Sequence, residues 1–245
     1  MIKKMLCMVL VVSAAFCSAQ TVDEIIAKSI EARGGMAKLK AVQSQRLSGH
    51  ISFDQNAEGD LVAEMKRPGK VREELSINSK VFIRTSDGNA GWVINPFAEK
   101  SDPEPLSAGE MGNMAQKADF DGAIVDYKAK GNQVELLGKE RVEGKDAYKL
   151  KVTLKNGEIR YDYLDASTYL GLKWEGKIAV NGNEIAAESY FHDYKPVEGV
   201  MYSFAIDSTS GDTHQKIVFD KIEVNPAIDD ARFGKPAAQP EKPAN

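Results

Sequence analysis

Residues 170–194 read LGLKWEGKIAVNGNEIAAESYFHDY. Leu170, Leu172, Trp174, Ile178 and Val180 alternate with Lys173, Glu175 and Lys177. A two-residue period sends successive side chains to opposite faces of a strand, so this run has one apolar face and one wet face. Asn181-Gly182-Asn183 then interrupts it and a second run follows. Asn-Gly between two such runs is the strongest short signal for a hairpin, because both residues tolerate positive φ.

The same reading extends in both directions. It predicts strands over 46–53, 61–67, 71–77, 81–85 and 91–95, then over 134–142, 147–154, 159–164, 170–180, 184–194, 200–207 and 214–224. Asp87-Gly88, Gly144-Lys145, Asn156-Gly157, Glu198-Gly199 and Gly211-Asp212 supply further turns. About twelve strands joined by short turns imply a single antiparallel meander. Leu61, Ala63 and Met65 oppose Glu64 and Lys66, and Tyr148, Leu150, Val152 and Leu154 repeat the pattern. The apolar side of a sheet that is wet on its other side must be covered.

Helices are available as covers. Thr21 and Glu24 form a capping box before the stripe Val22, Ile25, Ile26 and Ile30, which Gly34-Gly35 ends. Residues 36–42 add a further turn. Between Pro96 and Gly131, Pro96, Pro103 and Pro105 mark a loop, and Ser107 with Glu110 repeats the capping box. Met111, Met114, Ala115 and Ala118 follow at helical spacing, and a short helix is expected over 123–129. The tail 234–245, rich in Ala, Pro and Lys, is expected to be disordered.

The 245 residues include 32 Lys and Arg against 36 Asp and Glu, a net charge of −4. That balance does not suit nucleic acid. Lys3 and Lys4, the apolar run from Met5 to Phe16, and Ser18-Ala19 have the layout of a secretory signal peptide. The run is short of the roughly 20 apolar residues of a membrane span. Cleavage is expected after Ala19, followed by one domain over 20–233. An acylated Cys17 is disfavoured by the bulky Phe16 before it. Cys7 and Cys17 both leave with this segment, so the mature chain keeps no cysteine.

Catalytic patterns are missing from the sequence. There is no G-x-S-x-G elbow, no H-E-x-x-H and no Gly-rich phosphate loop. His50, His192 and His214 lie far apart, and His192-Asp193 beside Tyr194 reads as a strand-edge contact. Glu73-Glu74 and Asp229-Asp230 are adjacent, which on a strand puts their carboxylates on opposite faces. The expectation is a protein that is not an enzyme and uses no cofactor or metal.

One segment carries a family likeness. Arg67-Pro68-Gly69, Ser86-Asp87-Gly88, Trp92 and Asn95-Pro96-Phe97 follow in that order within residues 66–97. This succession resembles the LolA family of periplasmic lipoprotein carriers, within the LolA/LolB-like superfamily. The resemblance implies a mainly β (α+β) fold: an incomplete antiparallel β-barrel whose helices form a lid over a concave apolar face. It also implies a periplasmic location and a cavity for acyl chains of lipoproteins or lipids. A monomer would take its cargo from an inner-membrane donor to an outer-membrane acceptor in lipoprotein sorting.

In that family an arginine just before the proline bonds lid backbone, and Arg67 holds the matching position. Strand parity independently turns Arg67 inward with Leu61, Ala63 and Met65, where a guanidinium needs several acceptors. From the residues alone, a strand-end arginine reaching water fits as well. Candidate cavity residues are Phe53, Leu61, Met65, Phe82, Trp92, Ile94 and Phe97, with Met111 and Met114 from the lid. The same residues equally suit an ordinary core. An alternative function is an envelope sensory or regulatory module that uses this fold to bind lipid or a protein partner. N-terminal sequencing of the exported protein is expected to begin at Gln20; a start at Met1 or Cys17 refutes the cleavage assignment.

Overall fold

The computed structural model describes residues 20–54 and 57–239. The expected signal peptide and the last six residues of the expected tail lie outside the described residues. Helix α1 (Val22–Ala32) opens the fold with the predicted capping box, in which Thr21 N–H donates to Glu24 Oε2 at 2.9 Å. Helix α2 (Met36–Ala41) follows after Gly34-Gly35.

Thirteen strands then form one antiparallel sheet. They are β1 (Ser44–Phe53), β2 (Glu58–Lys66), β3 (Lys70–Ile77), β4 (Lys80–Ser86), β5 (Gly91–Asn95), β6 (Lys100–Pro105), β7 (Gln133–Val142), β8 (Lys145–Thr153), β9 (Ile159–Asp165), β10 (Gly171–Val180), β11 (Asn183–Val197), β12 (Val200–Ser210) and β13 (Thr213–Val224). Their order is β6-β5-β4-β3-β2-β1-β13-β12-β11-β10-β9-β8-β7. Chain neighbours pair everywhere except between β6 and β7, and the first and last strands meet in the middle of the sheet. The two edges, β6 and β7, are the strands that flank the helical insertion, which contains α3 (Ala108–Ala118) and α4 (Tyr127–Lys130). The sheet curls without closing, and the result is an incomplete barrel with helices packed over its concave side.

Two expectations fail inside the insertion. Residues 100–105, read as loop from Pro103 and Pro105, form strand β6. Proline lacks a ladder donor but is tolerated at a sheet edge, and β6 has only β5 beside it. The helix expected over 123–129 is reduced to α4, which ends at Gly131 with φ 80°. Ile124 and Val125, counted toward that helix, are buried in the turns before it.

Register fixes the concave face. Gln45, Leu47, Gly49 and Ile51 of β1 stand opposite Met65, Ala63, Leu61 and Gly59 of β2, the first three of these stand opposite Val71, Glu73 and Leu75 of β3, and Phe53 stands opposite Gln215 of β13. Leu47, Leu61, Phe204, Phe219 and Ile222 pack together as its floor. On one flank, α1 buries Ile25 and Ile26 against Val134, Leu150, Val152 and Leu164. On the other, Met114 and Ala118 of α3 pack on Val71, Met65 and Leu106. A Cβ at Gly91 would lie 2.6 Å from Met111 Sδ, so a glycine at this strand position lets the helix approach.

The convex side of β2–β4 is covered by the chain's own C-terminal segment. Its short turn, Asp230–Phe233, buries Phe233 completely, and Phe233 carbonyl accepts from Thr85 Oγ1 at 2.8 Å. Glu64, 2% exposed, accepts from Arg46 Nε (2.8 Å) and from Arg232 Nε (2.5 Å). The part of the tail through Gln239 continues along this wall, where Gln239 donates to the carbonyls of Ser101 (3.0 Å) and Val81 (2.6 Å). Emptying a fully buried aromatic site costs about 3–5 kcal/mol. Phe233→Ala is therefore expected to lower unfolding stability by that amount in urea at unchanged m, whereas a change below about 1 kcal/mol would mean that this segment is not part of the core.

Candidate functional site

The functional region is built where β2 ends. Arg67, one residue past β2, points inward as parity requires. Its Nε donates to Val42 O (2.8 Å), and its Nη2 donates to Leu39 O (3.4 Å) and to Asp121 Oδ1 (2.6 Å). The Phe120 ring lies 4.4 Å from the guanidinium carbon, within cation–π range. Val42 and Leu39 carbonyls close the C-terminal end of α2, where unsatisfied carbonyls favour a cation. Arg67 thus joins the sheet to α2 and to the segment that leaves α3.

Asp121 is the residue that the sequence reading missed. Its side chain is 2% exposed. One carboxylate oxygen takes Arg67 and the other takes Lys40 Nζ at 2.8 Å, while its carbonyl accepts from Arg33. Burial opposes its ionisation most strongly, yet the hydrogen bonds from Arg67 and Lys40 outweigh burial and hold the carboxyl below its usual range. Lys130 Nζ donates to both oxygens of Asp119 (2.6 Å) and to Gly122 O (2.8 Å). Four cations from four parts of the chain therefore pin residues 119–122 directly behind α3. The only available signal was indirect: an inward guanidinium needs an anion, but nothing local selects Asp121 over Asp119.

Helix α3 crosses the concave side. It touches β3 and β4 at one flank, where Lys117 pairs with Glu73, and β10 at the other. Beneath its N-terminal half lies a cavity of about 1080 Å³, bounded by Gly109, Asn113 and Gln116 of α3 and by Arg160, Trp174, Gly176, Ile178 and Ala187 of β9–β11. Arg160 is bound to Asp162 (2.6 Å) and sits 5.1 Å from the Trp174 ring. Beside Trp174 on the floor, the hydroxyls of Ser189 and Ser208 bond each other at 2.7 Å. A smaller cavity of about 300 Å³ lies at the Arg67 end, between Pro68-Gly69, Gly88 and the α3 residues Met111 and Ala115.

Met111 of the predicted cavity residues lines the smaller cavity, and the others divide into four groups. Phe53, Leu61 and Phe82 do line the concave face and are half-buried. Met65 and Met114 are also on that side, but they pack on Val71 and Ala118, and Met114 is fully buried. Trp92 and Ile94 are misassigned. They pair with Thr85 and Ile83 and so face the convex side, where Thr85 meets the C-terminal segment. Phe97 sits 46% exposed in a single 3-10 turn. The large cavity lies instead beside β9–β12, where the sequence reading put Trp174 and Ile178 on an apolar face but singled out no residue.

His192 does not pair with Asp193. It faces Glu143 and Asp207, while Asp193 takes Lys195 at 2.7 Å. Among the described residues, no group of three or more His, Cys, Asp or Glu is placed to hold a metal ion.

The lid's carboxylates set its acid response. Like Asp121, Glu73 and Glu110 are held below the usual range: burial works against this, but Lys117 and Arg84 outweigh it for Glu73, and hydrogen bonds from Ser107 do so for Glu110. Groups with depressed values add stability that is complete above their unfolded pKa of about 4 and is lost as pH falls through the folded value. Thermal melts are expected to show this lid-linked stability flat from pH 7 to about 4, then falling. Asp121→Asn is expected to cost about 2–3 kcal/mol at pH 7, less than a fully buried pair because Lys40 and Arg67 reach solvent, and to flatten the acid limb. A variant as stable as its parent at pH 7 would show that the cluster is not structural.

No protein-family model and no curated relative matches the sequence. Solved structures do. A LolA superfamily protein from Nitrosomonas europaea is 18% identical, with TM-score 0.57, over 89% of this chain and 99% of that one. A DUF1329 family protein from Desulfovibrio piger is 12% identical, with TM-score 0.55, over 87% and 97%. A proposed outer membrane lipoprotein-sorting protein domain from Vibrio parahaemolyticus is 14% identical, with TM-score 0.54, over 85% and 94%. At these identities the likeness concerns architecture, and in architecture the chain is LolA-like.

Proposed function

We propose that the protein is an exported, periplasmic carrier, not an enzyme, that holds acyl chains of a lipoprotein or lipid in its lidded cavity and serves outer-membrane lipoprotein sorting. The observation that supports this most is the cavity of about 1080 Å³ between α3 and the concave wall. It is at the upper end of sizes seen for small-ligand sites, and Trp174, Ile178 and Ala187 give it an apolar side. The half-buried Phe53, Leu61 and Phe82 extend apolar surface along the same concave face. The likeness to a LolA superfamily protein and to a proposed lipoprotein-sorting domain supports the same reading. In it, Arg67 is the lid latch, Phe53, Leu61, Phe82 and Met111 flank the chains with Met65 and Met114 packed behind them, and an inner-membrane donor and an outer-membrane acceptor load and unload a monomer.

Such a carrier needs no cofactor. Transfer follows from differences in affinity between donor, carrier and acceptor, and closure of the lid is one way to set them. Native mass spectrometry of the protein purified from a bacterial periplasm is expected to find co-purified lipid or lipopeptide. Arg67→Leu is expected to fold but to change the ratio of loading to release. An empty protein that also fails to bind an added fatty acid refutes the carrier, and equal loading and release by Arg67→Leu and its parent refutes the latch.

A further inference from the structure

Helix α3 is held in different ways at its two ends. Behind its C-terminus, residues 119–122 are fixed by the charged contacts of Arg33, Lys40, Arg67 and Lys130 around the buried Asp121. Its N-terminal half meets β10 through the neutral side chain of Asn113, while Glu110 accepts from Asn181 N–H in the turn just past the strand. Asn113 Nδ2 donates to Ala179 O at 2.6 Å, and Ala179 N–H donates to Asn113 Oδ1 at 3.2 Å. A further bond, Gln116 Nε2 to Glu158 Oε2, is exposed.

The sheet creates the place for Asn113. Pairing of β10 with β9 runs only as far as Glu175 opposite Tyr161, and β9 itself begins at Ile159. Ala179 lies beyond that point, opposite Glu184 of β11 on one side and with no strand on the β9 side. Its N–H and C=O would lack partners there, and the carboxamide of Asn113 supplies both, as a strand would. One helical turn earlier, a Cβ at Gly109 would sit 2.6 Å from Ala179 Cβ. A glycine here lets the helix come close enough for Asn113 to reach the strand. Gly109, Asn113 and Ala179 all line the cavity of about 1080 Å³. A neutral hydrogen bond contributes less than the loss of a partner costs in a buried charged cluster. The weaker attachment of the lid is therefore the one over the cavity.

We propose that acyl chains enter and leave between the N-terminal half of α3 and β10, and that Asn113 is the positioning residue that keeps this gate closed, while the Asp121 end, which Arg67 latches to the sheet and α2, stays shut as the hinge. This rests on the carrier reading above and assigns the route into its cavity.

The test is a removable lock. Gly109→Cys with Ala179→Cys places two Cβ atoms within about 1 Å of disulfide separation, in a chain whose other cysteines are Cys7 and Cys17. Uptake of dansyl-labelled undecanoic acid by the oxidised variant is expected to be at least tenfold slower than by the same protein after dithiothreitol. Asn113→Ala is expected to take up and release the probe several-fold faster than the parent, with an unchanged circular dichroism spectrum. Equal uptake by the oxidised and reduced forms overturns the gate. If the parent itself takes up no probe, the carrier reading fails and hydrogen exchange judges the gate. Exchange at Ala179 and residues 108–113 ahead of 114–118, accelerated in Asn113→Ala, supports it. A lid that exchanges as one block, or first beside Asp119, overturns it.

Discussion

A single buried carboxylate holds the parts of this molecule in register. Asp121 meets Arg67 from the end of β2 and Lys40 from α2, and its carbonyl meets Arg33 from the end of α1. Taking a carboxylate out of water is costly, and the cost is offset only when its acceptor sites are filled in good geometry. Filling them requires the sheet, both N-terminal helices and the exit of α3 to be in place together. The cluster therefore makes the arrangement of covers over the barrel an all-or-none matter. Breaking any one contact leaves a buried charge behind.

The sheet supplies the frame for that cluster and faces two ways. Its concave side is covered by α1 over β7–β9 and by α3 toward β3, and between these covers the cavity remains. Its convex side is mostly charged, with cross-strand pairs such as Lys173 with Glu188 and Lys151 with Glu135. The exception is the wall β2–β4, where the C-terminal turn buries Phe233 and completes the partners of Glu64. The edges are blunted by composition. Pro103 and Pro105 interrupt donors on β6, and Gly138 marks a register shift in β7.

Held by charge behind its C-terminus and by two hydrogen bonds of the Asn113 carboxamide over the cavity, α3 has a built-in asymmetry. A helix fixed equally at both ends would make a core element. One fixed strongly at one end, and weakly where the empty volume lies, can yield to a ligand whose own binding energy replaces two neutral hydrogen bonds. Arg160 is tied to Asp162 and Ser189 to Ser208, so the polar groups near Trp174 have each other as partners.

Much of this was written locally in the chain. Period-two runs and Asn-Gly turns located twelve of the thirteen strands, and the Thr21 and Ser107 capping boxes started α1 and α3 where they were expected. Parity pointed Arg67 inward, although the residues alone fitted a strand-end arginine reaching water as well. These features depend on neighbours in sequence, so sequence determines them. Tertiary structure decided the rest. Trp92 and Ile94 are as apolar as Leu61 and Phe82, but which face of β5 is concave depends on pairing across the sheet. Asp121 became the partner of Arg67 across 54 positions of chain, and Asn113 met Ala179 across 66. Alternation says that a strand has two faces; only the path of distant segments says what covers each face and where a cavity is left between them.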